Sequence, residues 1–270
     1  MGISNILALR GDPSKGAVEW SPVKDGCDHA ADLVRLIREE HGDYFGIAVA
    51  GFPEGHPAAG KDCEHQELQY LKAKVDAGAD FILTQFFYDT SVFIDFVTRA
   101  RQAGIKCPIV PGMMPIQSYS SFQRMTSFCG TKVPDRVWED LMPFRDDDEA
   151  VKEYGIRLSK SMCKELLAAG VMGNGMGAEL DVHGFHFYTL NLENSVLSVL
   201  ADLGAKDSTA SRRTLPWRGS RSNLQTGKEE DVRPINWANR PKSYIQVSSL
   251  FSCYSYFTVQ PIITCANITC

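Results

Sequence analysis

Apolar and polar positions alternate on two scales along the first two hundred residues. Short β-favouring runs stand at 5–9 (NILAL), 46–52 (GIAVAGF), 80–88 (DFILTQFFY), 108–113 (PIVPGM) and 184–191 (GFHFYTLN). A run of this kind gives way to a Gly/Pro-rich turn and then to a stretch with helical spacing. Ala30, Leu33, Val34 and Ile37 share one helical face, as do Val92, Phe93, Phe96, Val97 and Ala100, and later Val196, Leu197, Leu200 and Leu203. The runs are nearly continuous in apolar character, so both faces of the sheet need cover. That predicts five parallel strands with helices outside, an α/β fold built of βα repeats.

Two regions leave this rhythm. The stretch VMGNGMGAELDVHG, 171–184, is rich in Gly and Met and is expected to be a loop before the last strand. From Ser211 to Lys242 the chain turns polar, with Trp217 and Trp237 as its large apolar anchors, and from Ser243 to Cys270 it carries no charged residue. The expected organisation is a βα domain over 1–207, an extended linker over 208–245 and an irregular tail over 246–270. The tail's Ser, Thr and Gln content and Pro261 make it a poor membrane span, and the sequon at Asn267 is expected to be fortuitous.

Composition narrows the partners. A chain of 270 residues with 44% apolar content can bury a substantial core. A net charge of -5 without a Lys/Arg-rich block speaks against a nucleic-acid surface. Eight cysteines lack the spacing of a zinc site or disulfide framework, and no basic, then apolar leader opens the sequence, so a reducing, cytoplasmic setting away from membranes is expected.

In βα folds the chemistry gathers at the carboxyl ends of the strands. Arg10-Gly11-Asp12 ends the first run; a glycine there lets backbone approach a ligand, an arginine suits phosphate and an aspartate suits a polar ring. A turn without special role and an exposed adhesion tripeptide are the alternatives. Gln85 places an amide inside an apolar run, and leaving it unpartnered would cost about 1–3 kcal/mol, so a core group or a ligand must meet it. His56 follows the second strand as a loop histidine or a ligand contact. Lys74 is a solvated helix lysine or an anion ligand.

Taken in order, NILALRGDP, AGFPEGHP, LKAKVDAGADFILTQFFYD, PIVPGMMPIQ, GFHFYTLN and EEDVRPINWANRPKSYI resemble methylenetetrahydrofolate reductase in its eukaryotic, fungal form, over residues 3–245. The resemblance implies a (β/α)8 barrel of TIM type, here incomplete, with about strands 4 to 8 present. It implies FAD as cofactor, NAD(P)H as co-substrate, and reduction of 5,10-methylenetetrahydrofolate to 5-methyltetrahydrofolate in one-carbon and methionine metabolism. Cofactor contacts would fall on Leu9, Arg10, Gly11, Asp12, His29, Ala30, Ala50, Phe52, His56, Pro57, Ala58, Ala59, Glu67 and Lys74. Asp12 and Gln85 would be catalytic, Asp12 beside the flavin and Gln85 on the pterin, with Tyr188 a second folate contact.

Departures accompany the matches. By the same resemblance Tyr is common where this chain has His29 and Phe52, Asp where it has Glu67, and Arg where it has Leu192. Three strands of the barrel, with the glutamate that serves as general acid, precede the first run in the family, so an impaired fragment arising from a truncated or mis-spliced gene is expected. A non-catalytic chain that only binds flavin, or pairs with an intact subunit, is the alternative, and a homo-oligomer is a possible assembly.

Overall fold

A computed structural model describes residues 5–11, 21, 26–56, 64–171, 184–190, 192–203, 221–222 and 229–230. Five parallel strands form one sheet in chain order: β1 (Asn5–Ala8), β2 (Gly46–Gly51), β3 (Phe81–Phe86), β4 (Ile109–Met113) and β5 (His186–Phe187). The five apolar runs therefore are strands, although only two residues of the last pair with β4. The helices are α1 (Ala30–His41), α2 (Glu64–Asp76), α3 (Thr90–Gln102), α4 (Tyr119–Cys129), α5 (Asp135–Leu141), α6 (Asp148–Leu166) and α7 (Glu193–Asp202). A parallel sheet whose strands run in sequence, each returning by way of helix, is the α/β arrangement expected of a partial (β/α) barrel.

Burial explains the strand composition. Ile47, Ala48 and Val49 of β2 are all closed to solvent, as are Ile82 of β3 and Ile109 of β4. Phe93, Val97 and Ala100 bring α3 onto the sheet, and the Phe93 ring stacks on Phe87 with centroids 5.2 Å apart. Each such aromatic or aliphatic side chain contributes about 1.5–3 kcal/mol through burial. On α7 the buried face centres on Ser195, Val196 and Val199, with Leu197, Leu200 and Leu203 only partly covered. The apolar spacing there placed the face slightly off, because a buried serine sits within it.

The helix starts follow side-chain chemistry. Asp89 accepts the Ser91 amide ahead of α3, Ser118 that of Ser121 ahead of α4, and Asp147 those of Glu149 and Ala150 ahead of α6. Glycine is required where α6 crosses the segment after β4: a Cβ on Gly155 would lie 2.3 Å from the Ile116 carbonyl oxygen.

Arg38 closes the amino end of the sheet. Its guanidinium donates to the carbonyls of Gly42, Phe45 and Gly78 and to the Asp80 carboxylate, which in turn accepts the Ile47 amide. One side chain thereby ties α1 to the entries of β2 and β3. Arg101 does the same before β4, donating to the carbonyls of Ile105 and Cys107.

A proline stands inside β4, an interior strand, where it can donate nothing to the ladder. Pro111 turns its nitrogen toward β5, the side on which the Met113 carbonyl accepts the Tyr188 amide, while on the β3 side the register shifts. Leu83 pairs with Val110, but the next pairing joins Phe86 to Gly112, so β3 advances three residues while β4 advances two. Thr84 and Gln85 form the resulting bulge.

The glycine- and methionine-rich stretch at 172–183 lies outside the described residues. So do most of the linker and the whole tail, apart from an antiparallel pairing of β6 (Arg221–Ser222) with β7 (Glu229–Glu230). Among the described residues no helix is long and apolar enough to cross a membrane.

Candidate functional site at the carboxyl end of the sheet

Apart from His29 and Ala30 at the start of α1, the sequence-predicted residues within the described chain fall into two groups near the strand ends. The first surrounds β1, β2 and α2. Leu9, Arg10 and Gly11 follow β1 and are exposed, Gly11 with φ of +86°. Asp12 lies outside the described residues, as do Pro57, Ala58 and Ala59. After β2 the chain turns at Phe52-Pro53-Glu54-Gly55, the Gly55 amide donating to the Phe52 carbonyl at 3.1 Å. The Phe52 and His56 rings meet edge to face at 4.7 Å, and Glu67 of α2 accepts the His56 amide. Helix α2 thus holds the turn that β2 delivers.

Lys74 is not a solvated helix lysine. Its ammonium donates to the Ala50 carbonyl at 2.5 Å, and burial, partly offset by the Glu67 carboxylate, brings its pKa down to about 8. His56 feels the same surroundings. Burial and the positive charge of Arg10 hold its pKa below the ordinary imidazole value, with Glu67 opposing. Arg10, His56, Glu67 and Lys74 therefore share one electrostatic neighbourhood, the basic groups of Arg10 and Lys74 against one carboxylate. His29 stands apart, exposed at the start of α1, where the Asp32 carboxylate accepts its amide at 2.9 Å; Ala30 follows, half-buried.

The second group surrounds the β3 bulge and β5. Gln85 is half-buried, and its Oε1 accepts the Phe86 amide at 3.1 Å. An amide N–H can only donate, so the carboxamide is oriented with oxygen toward the backbone and Nε2 turned away. The sequence left open whether a core group or a ligand would satisfy Gln85; the oxygen is met by the neighbouring backbone, and among the described residues the nitrogen has no partner. Tyr188 follows β5. Its hydroxyl donates to the Thr84 carbonyl at 3.0 Å, and its ring meets Phe86 and His186 edge to face. Burial raises the Tyr188 pKa and lowers that of His186 to about 4, so at neutral pH the phenol is protonated and the imidazole uncharged. Leu190, two residues on, has φ of +45°, and both it and Leu192 expose their side chains.

Two polar groups escaped the sequence reading. Glu54, in the turn after β2, accepts the Lys132 amide at 2.6 Å through one oxygen, while its Oε1 and the hydroxyl of Thr131 are buried without a hydrogen-bond partner among the described residues. Burial, reinforced by Asp89, raises the Glu54 pKa, with the Lys132 amide opposing. Thr84, closed to solvent, accepts the Gly112 amide on its Oγ1 at 2.9 Å. A threonine beside a glutamine in an apolar strand was the available signal for the bulge.

The family described as Methylenetetrahydrofolate reductase matches residues 1–204. A relative from Oryza sativa subsp. japonica, named probable methylenetetrahydrofolate reductase (NADH), is 50% identical over 251 residues, covering 90% of this chain and 40% of its own length. Methylenetetrahydrofolate reductase 2 of Saccharomyces cerevisiae is 40% identical, covering 92% of this chain and again 40% of the relative. The chain thus spans about two fifths of the length of the relatives it matches. A solved structure of an uncharacterised protein from Clostridium thermocellum, which binds two copies of 5-methyl-5,6,7,8-tetrahydrofolic acid, shares the fold at a TM-score of 0.51 and 17% identity, over 74% of this chain and 73% of the other.

Proposed function

The chain belongs to the methylenetetrahydrofolate reductase family, and from that premise we propose that it forms the flavin- and folate-facing part of a reductase that makes 5-methyltetrahydrofolate from 5,10-methylenetetrahydrofolate at the expense of NAD(P)H. The observation that carries this reading is Lys74. A part-buried ammonium that among the described residues donates to a single backbone carbonyl keeps two of its three donors in hand. With its pKa already pulled down by burial, it gains most from an anion brought to it.

The residues fit FAD. Lys74 and Arg10 supply the cationic chemistry a diphosphate needs, and Gly11 presents backbone without a side chain in the way. Glu67 holds the Phe52–His56 turn by its bond to the His56 amide, and the Phe52 ring offers an apolar face beside it. Bound there, FAD would supply hydride chemistry, while the protein binds, orients and tunes it. Gln85 would serve the substrate by donating from Nε2 to a ring acceptor of the pterin, its oxygen being committed to the backbone. Asp12 keeps its proposed place beside the flavin on the strength of the Arg-Gly-Asp motif alone.

The test is whether the purified chain holds flavin and uses it. Protein that carries the yellow flavin absorbance through gel filtration, and oxidises NADH with menadione as acceptor, would support the reading. Colourless protein that takes up no FAD on reconstitution would sink it and favour a chain that needs an intact subunit to complete its site.

A further inference from the structure

We propose that Tyr188 is a positioning residue: by taking the Thr84 carbonyl, its hydroxyl holds the β3 bulge in the register that presents the Gln85 carboxamide. The inference rests on reading Gln85 as a ligand contact and goes beyond it, since it assigns Tyr188 a role exerted through Gln85 in place of direct contact with folate.

Leu83 pairs with Val110 and Phe86 with Gly112, so the β3–β4 ladder bulges at Thr84 and Gln85. A bulge displaces backbone groups from their usual partners, and in a buried sheet those groups must find others. Here the replacements come from side chains. The Gly112 amide goes to Thr84 Oγ1, the Thr84 carbonyl receives the Tyr188 hydroxyl, and the Phe86 amide goes to Gln85 Oε1. All three lie within three residues of β3, and the last fixes which end of the Gln85 carboxamide turns outward.

Gly112 allows this closeness. A Cβ at that position would stand 2.2 Å from the Thr84 oxygen and 2.8 Å from the Tyr188 ring. The phenol, the carbonyl and the glycine thus pack as one unit, with Tyr188 itself anchored by its amide bond to the Met113 carbonyl at 2.8 Å. With its proton engaged by Thr84 and its pKa raised by burial, the hydroxyl has no donor left for a substrate. Removing it leaves a buried carbonyl without its partner, at the residue before Gln85.

Tyr188→Phe removes one oxygen and keeps the ring, so it spares the fold where Gly112→Ala would not. In the full chain, the Gln85 carboxamide and Phe86 amide signals in heteronuclear NMR spectra are expected to shift in Tyr188→Phe, while the Arg38 guanidinium signal at the opposite end of the sheet stays put. Unmoved Gln85 and Phe86 signals would overturn the proposal whatever the ligand does. With 5-methyltetrahydrofolate as probe, Tyr188→Phe and Gln85→Ala are each expected to weaken binding roughly tenfold, and the double variant to bind no more weakly than Gln85→Ala alone. Effects that multiply to about a hundredfold would mean that Tyr188 touches the folate independently, which also overturns it. If Gln85→Ala changes nothing, or the chain does not bind the probe, the reading of Gln85 as a ligand contact fails, and the NMR comparison alone decides whether Tyr188 holds the bulge.

Discussion

The two ends of the sheet are finished differently. At the amino end Arg38 and Arg101 distribute their donors over the carbonyls of Gly42, Phe45, Gly78, Ile105 and Cys107, and Asp80 accepts from both Arg38 and the Ile47 amide. Toward the carboxyl end, among the described residues, Lys74 has one carbonyl, Gln85 keeps a free donor, and Glu54 and Thr131 bury oxygens without partners. Leu190 adds a left-handed backbone conformation that a branched side chain disfavours. Saturated polar groups stabilise; unsaturated ones cost stability unless a ligand completes them. The same sheet therefore carries a saturated structural end and an end with polar groups to spare, where the proposed function places its ligands.

The largest test of this contrast is Arg38→Ala. It orphans several carbonyls at once and should lower the unfolding free energy by about 3–5 kcal/mol in urea titrations. Flavin binding at temperatures well below melting should hardly change. A variant that kept its stability would deny the amino end its structural role.

Lys74→Met should do the opposite. Flavin affinity should fall roughly thirtyfold, about 2 kcal/mol, in equilibrium binding measurements, whereas the flavin-free protein should be as stable as before or more so. The pH dependence follows from the sign of the shift. The folded pKa of about 8 lies below the free value of 10.5, so the unfolded chain holds a proton that the folded chain has released between those limits. Stability of the flavin-free chain should rise with pH across that window, and flavin affinity should fall as the pH passes 8. Lys74→Met should flatten both trends.

The smallest effect is expected from Glu54→Gln. Its raised pKa means that the folded chain retains a proton the unfolded chain loses above 4.5, so the carboxylate costs stability increasingly as the pH rises through the folded value. The amide should gain about 1 kcal/mol at neutral pH and nothing below pH 4.5, as read by thermal melts at both pH values. Destabilisation at neutral pH would show that the charge is wanted there.

Strand periodicity made the sheet legible before any coordinates, because a doubly covered parallel strand must be apolar throughout, and Ile47, Val49, Ile82 and Ile109 are. The site was less legible. Lys74 looked like a surface lysine because helical spacing says nothing about how far a long side chain reaches back to a neighbouring strand. Gln85 stood out as an amide in apolar surroundings, but its orientation depended on a bulge in the pairing of β3 with β4. Glu54 gave no signal, since an acidic residue in a strand-end turn is ordinarily solvated. Tyr188 was placed correctly at a strand end, yet the partner of its hydroxyl is 104 residues distant in the chain.

The seam between Gly155 and Ile116 has a mechanical corollary. Helix α6 rests on peptide with no side chain as cushion, and the residue after that peptide, Gln117, accepts the hydroxyl of Ser195 in α7. Lys160 and Lys164 fasten the same two helices through Asp202. A lateral slide of α6 must carry the exit of β4 and the root of α7 with it, so this flank of the molecule shifts as one block or not at all.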